Sequence, residues 1–157
     1  MQEKATFAAG CFWGIEATFA ALDGVLDTKV GYMGGSVREP SYKEVCTDRT
    51  GHAEVVEVTF DPDKISYESL LNAFWQMHDP TTRNRQGPDI GSQYRSAIFY
   101  HSETQKAEAE QSKQLMDNSG AYNRPIVTEI TPVATFWEAE EYHQKYLEKR
   151  GMGSCHI

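Results

Sequence analysis

Apolar and polar positions alternate along this chain with two periods, one of two residues and one near 3.6, and the blocks interleave. Thr6 to Ala9 predicts a short strand running into Gly10. From Cys11 to Leu22, the set Ile15, Thr18, Phe19 and Leu22 recurs at helical spacing, and Asp23-Gly24 ends the helix. Val25 to Tyr32 is strand-like and closes at Gly34-Gly35, and a polar loop follows through Pro40 and Asp48. His52 to Phe60 is the clearest strand, stopped by Asp61-Pro62. Ser66 is placed to cap a helix carrying Leu70, Leu71, Phe74 and Trp75, which Pro80 terminates. Thr81 to Ser92 is a loop punctuated by Gly and Pro, and Gln93 to Tyr100 is another strand. Ser102 and Gln105 have capping-box spacing for a helix to about Asn118, and Ile126 to Ile130 is strand-like. Thr135 and Glu138 repeat the capping-box signature for a helix to about Lys149. Strands and helices mixed at these intervals predict an α+β fold, a two-layer sandwich of helices on a sheet; strand order is not readable. With no repeat or linker-like stretch, the 157 residues read as one domain with a short flexible tail from about residue 150.

Charge narrows the classes. The net charge is −8, and lysines and arginines stand singly, which argues against a nucleic-acid partner. No window is apolar for long enough to cross a bilayer, and Met1 to Lys4 is too polar for a signal peptide. The expectation is a soluble cytoplasmic protein. Its three cysteines then read as reactive or buried thiols and not as a disulfide framework.

Gly10-Cys11-Phe12-Trp13-Gly14 sets one cysteine between glycines and beside two large aromatics. In the first turn of a helix, Cys11 faces unpaired backbone N–H groups and the positive dipole end, which favour thiolate. Phe12 and Trp13 fit the wall of a small apolar pocket. The alternative is a buried cysteine in an aromatic core. In the strand 52–60, Glu54 shares a face with His52, Val56, Val58 and Phe60, the more apolar of the two. A carboxyl there has a raised pKa and suits a general acid, unless it points to water at the strand's end. His52 reads as structural. Tyr42, in a loop, and Tyr94, heading a strand, are either phenolic donors to a polarised oxygen or packing residues. Asp89, in Gly87-Pro88-Asp89-Ile90-Gly91, reads first as a turn carboxylate. Cys155, in a glycine-flanked tail, is either a thiol able to form a transient disulfide or an unimportant tail residue. Cys46 has no comparable context and reads as a bystander.

Taken together and in order, these segments resemble the peptide methionine sulfoxide reductases of the A class. Gly10-Cys11-Phe12-Trp13-Gly14 matches that family's nucleophile motif, and Gly51-His52-Ala53-Glu54-Val55 its general-acid segment. Ser41-Tyr42 and the run Asp89-Ile90-Gly91-Ser92-Gln93-Tyr94-Arg95-Ser96 resemble its substrate-binding segments. Glu141-Tyr142-His143-Gln144-Lys145-Tyr146-Leu147 is similar to its last-helix signature. The matches run from residue 10 to 147.

The resemblance implies a ferredoxin-like core and thiol-dependent reduction of the S epimer of methionine sulfoxide, free or in oxidised proteins. It assigns Cys11 as nucleophile, Glu54 as proton donor, Tyr42 and Tyr94 as donors to the sulfoxide oxygen, Phe12 and Trp13 as the methyl pocket, and Asp89 as substrate orienter. Cys155 would resolve a Cys11 sulfenic acid as a disulfide, with thioredoxin or dithiothreitol as external reductant and no metal or other cofactor. Many bacterial members carry a further tail cysteine; none follows Cys155 here, so a two-thiol scheme is expected. Two other classes compete: a methionine-binding module without turnover, and a metal-binding module using Cys11, Cys155 and His156 or using His52 and His143. The metal reading lacks close Cys-x-x-Cys or His-x-x-x-His spacing.

Overall fold

Residues 53–60 carry apolar side chains on both faces, so this strand has to be covered from both sides. In the computed structural model, which describes residues 2–149, it lies in the interior of a six-stranded sheet. The elements in chain order are β1 (Glu3–Ala9), α1 (Phe12–Ala20), β2 (Val25–Met33), α2 (Tyr42–Val45), β3 (Ala53–Phe60) and α3 (Tyr67–Gln76). There follow β4 (Arg85–Gln86), β5 (Asp89–Ile90), β6 (Ser96–Tyr100), α4 (Glu103–Asn118), β7 (Glu129–Pro132), β8 (Trp137–Glu138) and α5 (Tyr146–Lys149). Two 3-10 turns occupy Ser92–Tyr94 and Glu141–His143.

The sheet order is β7-β6-β1-β3-β2-β8. β1 lies between β3 and β6 and is antiparallel to both, and β2 is antiparallel to β3. β1 and β2 are therefore parallel with β3 between them, and β3 and β6 are parallel with β1 between them. Each pair is joined by a helix, α1 and α3 respectively. Two interleaved β-α-β units of this kind make the ferredoxin-like core. β7 adds parallel to β6 at one edge and β8 antiparallel to β2 at the other.

The even positions of β3 face the helices, as the period of two predicts. Val56, Val58 and Phe60 join Phe7, Phe19, Leu70, Leu71 and Phe74 in the main core. The Phe7 ring stacks on Phe19 at 5.0 Å and on Phe74 at 5.2 Å. Each such fully buried side chain stabilises by roughly 1.5–3 kcal/mol. The odd positions Ala53 and Val55 form a smaller cluster on the opposite face with Ala8, Met33, Ala97 and Phe99, covered by Phe136.

Several expectations require correction, the loop expected over Thr81 to Ser92 among them, since it holds the paired strands β4 and β5. The loop after Pro40 contains α2, which Ser41 and Glu44 hold in a reciprocal capping box at 3.1 and 2.9 Å. Residues 92–94 form a 3-10 turn, so β6 begins at Ser96 and Tyr94 precedes the strand instead of heading it. The strand expected over Ile126 to Ile130 pairs only from Glu129, because Val127 N–H is drawn to Pro80 O at 2.8 Å and the Thr128 hydroxyl to that of Ser96 at 2.7 Å. The long helix expected from Thr135 to Lys149 does not form. The open edge of β2 recruits Trp137 and Glu138 as a strand, and the Gln144 amide then bonds both Val30 N and Val30 O at 2.9 Å. Lys145, at φ 53, breaks any helix there, and only Tyr146–Lys149 is helical. The tail from about residue 150, Cys155 included, lies outside the described residues.

Candidate active site

β1 runs buried to Gly10, where the chain must turn sharply to enter α1. Gly10 sits at φ 104, and a Cβ there would stand 2.9 Å from the Gln86 side chain, so only glycine fits. Cys11 follows as the residue capping α1 and precedes the first turn in which it was expected. Its side chain is half-buried.

The antiparallel register that pairs Phe7 with Val56 carries Glu54 to the same end of the sheet, beside the start of α1. Phe12 N–H donates to Glu54 Oε1 at 3.2 Å, which places the carboxyl next to Cys11 in space although 42 residues separate Phe12 and Glu54 in sequence. Glu54 is 1% exposed. Burial lifts its pKa from the ordinary 4.5 to about 8; the Phe12 N–H opposes the rise, and the nearby Asp89 charge adds to it. The carboxyl is therefore neutral at neutral pH. Its other oxygen, Oε2, is buried without a hydrogen-bond partner among the described residues.

An aromatic wall adjoins this pair. Trp13 stacks on Tyr146 at 3.9 Å, and Tyr42 lies 6.4 Å from both Phe12 and Trp13 and 4.3 Å from His143. Phe12 forms the floor, 1% exposed and 5.8 Å from Tyr32. The Trp13 indole donates to His143 Nδ1 at 2.9 Å. Indole can only donate, so Nδ1 is unprotonated and Nε2 carries the hydrogen of a neutral ring. Burial lowers the His143 pKa and favours that state, against the Glu140 charge.

Both candidate phenols are held protonated. Burial raises the Tyr42 pKa above its ordinary range, helped by contact with the Cys46 thiol and by the charges of Glu54, Cys46 and Tyr94. Burial likewise raises that of Tyr94, within electrostatic reach of Glu54, Cys46, Asp89 and Cys11. The fold thus assembles Cys11, Glu54, Tyr42, Tyr94 and Asp89 from five separate segments, with Phe12 and Trp13 beside them. A groove of about 990 Å³ borders Cys11 on the side of Ile15, Met77 and Tyr122, away from Glu54.

Three contributors escaped sequence reasoning. Cys46 ends α2 and engages Tyr42, so it belongs to this neighbourhood. Glu140 accepts from the Tyr32 hydroxyl through Oε1 and from Tyr42 N–H through Oε2, both at 2.9 Å. Burial alone would raise its pKa, but these bonds outweigh it and hold the carboxyl below its ordinary value. His143 is the third. For the last two, the signal in the sequence is the run Glu141 to Leu147, which contains His143 and directly follows Glu140, within the stretch expected to be helical.

His52 is structural, as expected: Nδ1 accepts from Gly35 N–H at 3.0 Å, and Nε2 donates to Val37 O at 2.7 Å. Among the described residues, no group of three or more His, Cys, Asp or Glu side chains is placed to hold a metal ion. Nor is any helix among them long and apolar enough to cross a membrane.

A family model described as peptide methionine sulfoxide reductase matches residues 3–157. Over 153 residues the chain is 63% identical to the peptide methionine sulfoxide reductase MsrA of Methanoculleus marisnigri, a match spanning 98% of this chain and 93% of that one. Its fold is similar to that of reduced Mxr1 from Saccharomyces cerevisiae, with a TM-score of 0.90 at 40% identity over 98% of this chain and 88% of the other. It is also similar to Mxr1 in complex with Trx2, with a TM-score of 0.66 at 31% identity over 92% and 84% of the two chains.

Proposed function

The chain belongs to the peptide methionine sulfoxide reductase family and is a peptide-methionine (S)-S-oxide reductase, and from that premise we propose how its residues divide the work. The Cys11 thiolate attacks the sulfoxide sulfur while Phe12 and Trp13 receive the S-methyl group. Glu54 gives its proton to the sulfoxide oxygen. The Tyr42 and Tyr94 hydroxyls donate to the same oxygen as charge develops, Tyr42 turning from Cys46 to do so. Asp89 orients the substrate's backbone or amino group. Methionine departs, the oxygen passes to Cys11, and the thiol sulfur supplies the two electrons as it becomes a sulfenic acid.

Cys155 then attacks the sulfenic sulfur, water leaves, and a Cys11–Cys155 disulfide forms. A thioredoxin-type dithiol, or dithiothreitol in the test tube, takes up the oxidation by thiol–disulfide exchange. A partner of that kind fits the yeast relative whose structure was solved with Trx2. Free and protein-bound methionine sulfoxide are both substrates, and the cycle draws on no metal, flavin or nucleotide.

The observation that carries this reading is the neutral, buried Glu54 carboxyl beside Cys11, its Oε2 without a hydrogen-bond partner among the described residues. A nucleophile alone fits many chemistries. A nucleophile with a proton held ready next to it suits a substrate whose oxygen must be protonated as it is transferred. The test is a thiol-dependent assay on the two separated sulfoxide epimers, with thioredoxin and dithiothreitol compared. The wild type should reduce only the S epimer, and Cys11→Ser should reduce neither. Turnover by Cys11→Ser, or equal rates on both epimers, would overturn the assignment.

A further inference from the structure

α2 has four residues, too few to hold a helical shape without outside contacts, since even ~12-residue helices are marginal in isolation. It nevertheless has to fix the Tyr42 phenol, because Tyr42 is its first residue. The Ser41–Glu44 box ties α2 only to itself, and the fully buried Val45 anchors its far end. At the Tyr42 end, the ring packs near Phe12, Trp13 and His143, and the backbone is tied by Glu140, 98 residues away in sequence, whose Oε2 accepts the Tyr42 N–H at 2.9 Å. Oε1 of the same carboxyl accepts from the Tyr32 hydroxyl on β2 at 2.9 Å. Glu140 also immediately precedes the turn Glu141–His143, whose His143 takes the Trp13 indole. One short segment therefore grips both the tyrosine and the tryptophan of the aromatic wall.

The geometry points to Glu140 as a positioning residue for oxygen transfer: it sets the Tyr42 backbone so that the phenol meets the sulfoxide oxygen, and does not itself touch substrate. This rests on the role given to Tyr42 above. It also specifies which property of Glu140 matters. The Tyr42 N–H can only donate, so an acceptor is obligatory opposite it. The Tyr32 hydroxyl can donate or accept. Glutamine therefore satisfies both partners in one orientation, with its carbonyl on Tyr42 N–H and its amide N–H on the Tyr32 oxygen. Alanine satisfies neither. The acceptor is required, and the charge is not.

The experiment measures the first-step burst, methionine formed per enzyme without reductant, in Glu140→Ala, Glu140→Gln, Tyr32→Phe, Tyr42→Phe and the Glu140→Ala/Tyr42→Phe pair. Glu140→Ala should slow the burst roughly 10-fold or more, the scale of one lost hydrogen bond to a charged group. Glu140→Gln and Tyr32→Phe, which keep the acceptor on Tyr42 N–H, should stay within about 3-fold of wild type. In the Tyr42→Phe background, Glu140→Ala should cost no more than about 2-fold further, because the group it positions is already gone.

A wild-type burst in Glu140→Ala overturns the inference, as does full additivity with Tyr42→Phe. A Glu140→Gln variant as slow as Glu140→Ala also overturns it, because charge would then be the operative property. Should Glu140→Ala not fold, Glu140→Gln and Tyr32→Phe still decide, since slowing in either contradicts the inference. If Tyr42→Phe itself runs at the wild-type rate, the role given to Tyr42 fails and the inference falls with it. A slow Tyr42→Phe beside a normal Glu140→Ala sinks the inference alone.

Discussion

Replacing Glu54 with glutamine keeps side-chain volume and an acceptor for Phe12 N–H, and removes only the capacity to carry and release a proton. Burial moves this carboxyl from 4.5 to about 8, so at neutral pH it is protonated in the folded chain and ionised in the unfolded one. A group whose acid form is favoured by folding costs nothing below about pH 4.5. Its penalty grows as pH rises, then levels off above the folded value. At about 1.36 kcal/mol per pH unit, the penalty is roughly 3 kcal/mol at pH 7 and roughly 5 kcal/mol above pH 8. Glutamine bears no such penalty. The stability of Glu54→Gln relative to wild type should therefore climb by roughly 4 kcal/mol between pH 5 and pH 9. The amide's own burial cost does not depend on pH, so the slope is the test. Urea denaturation at pH 5, 7 and 9 measures it. In parallel, rapid-quench detection of the methionine burst should show the variant slower by roughly 10²–10⁴, the span of general-acid catalysis. The wild-type burst should fall above about pH 8 as the acid ionises, and the variant's should not. A stability difference flat from pH 5 to 9 would mean the carboxyl is not held neutral, and a near-normal burst would mean the proton comes from elsewhere.

Two further variants test other parts of the scheme. Cys155→Ser should release one equivalent of methionine and then stall with thioredoxin; normal cycling would move the resolving role to another thiol. Gly10→Ala forces a Cβ at φ 104 and 2.9 Å from Gln86. It should cost on the order of 1–3 kcal/mol in thermal unfolding and slow the burst by shifting Cys11, whereas unchanged stability would remove the steric argument.

Local pattern made much of the centre legible. A period of two is a property of consecutive residues, so the face of Glu54 could be assigned without knowing what lay beside it, and its 1% exposure follows. The same reading failed where the deciding partner is far along the chain. Ser41–Glu44 and Thr135–Glu138 carry the same capping-box spacing, yet only the first caps a helix. What separates them is the free edge of β2, which takes Trp137 and Glu138 as a strand, then the Ala139 N–H, and then the Gln144 side chain, 114 residues from Val30. No window of sequence contains that edge. Glu140 and His143 are hidden for the same reason, whereas the Cys46–Tyr42 contact is local, four residues apart, and is missed because residues 41–48 read as a loop. Tyr94 precedes β6 because the chain closes a 3-10 turn there, with Tyr94 N–H on Gly91 O at 3.0 Å, and Ser92 N–H is held by Asp48 at 2.9 Å, 44 residues away.

Two carboxyls near this aromatic wall end in opposite states, and the difference assigns their roles. Glu140 receives two donors, the Tyr32 hydroxyl and the Tyr42 N–H, and its bonds overcome burial and keep it ionised. Glu54 receives one donor at a longer 3.2 Å, sits at 1% exposure, and feels the Asp89 charge, so burial prevails and it keeps its proton. Environments that push two acids apart in this way designate the neutral one as proton donor at pH 7. A second donor to Oε2 would lower the Glu54 pKa and ionise the acid before substrate arrived, whereas a sulfoxide oxygen arriving at Oε2 is an acceptor and calls for the protonated form. A donor built opposite Oε2 should therefore slow the methionine burst while stabilising the fold.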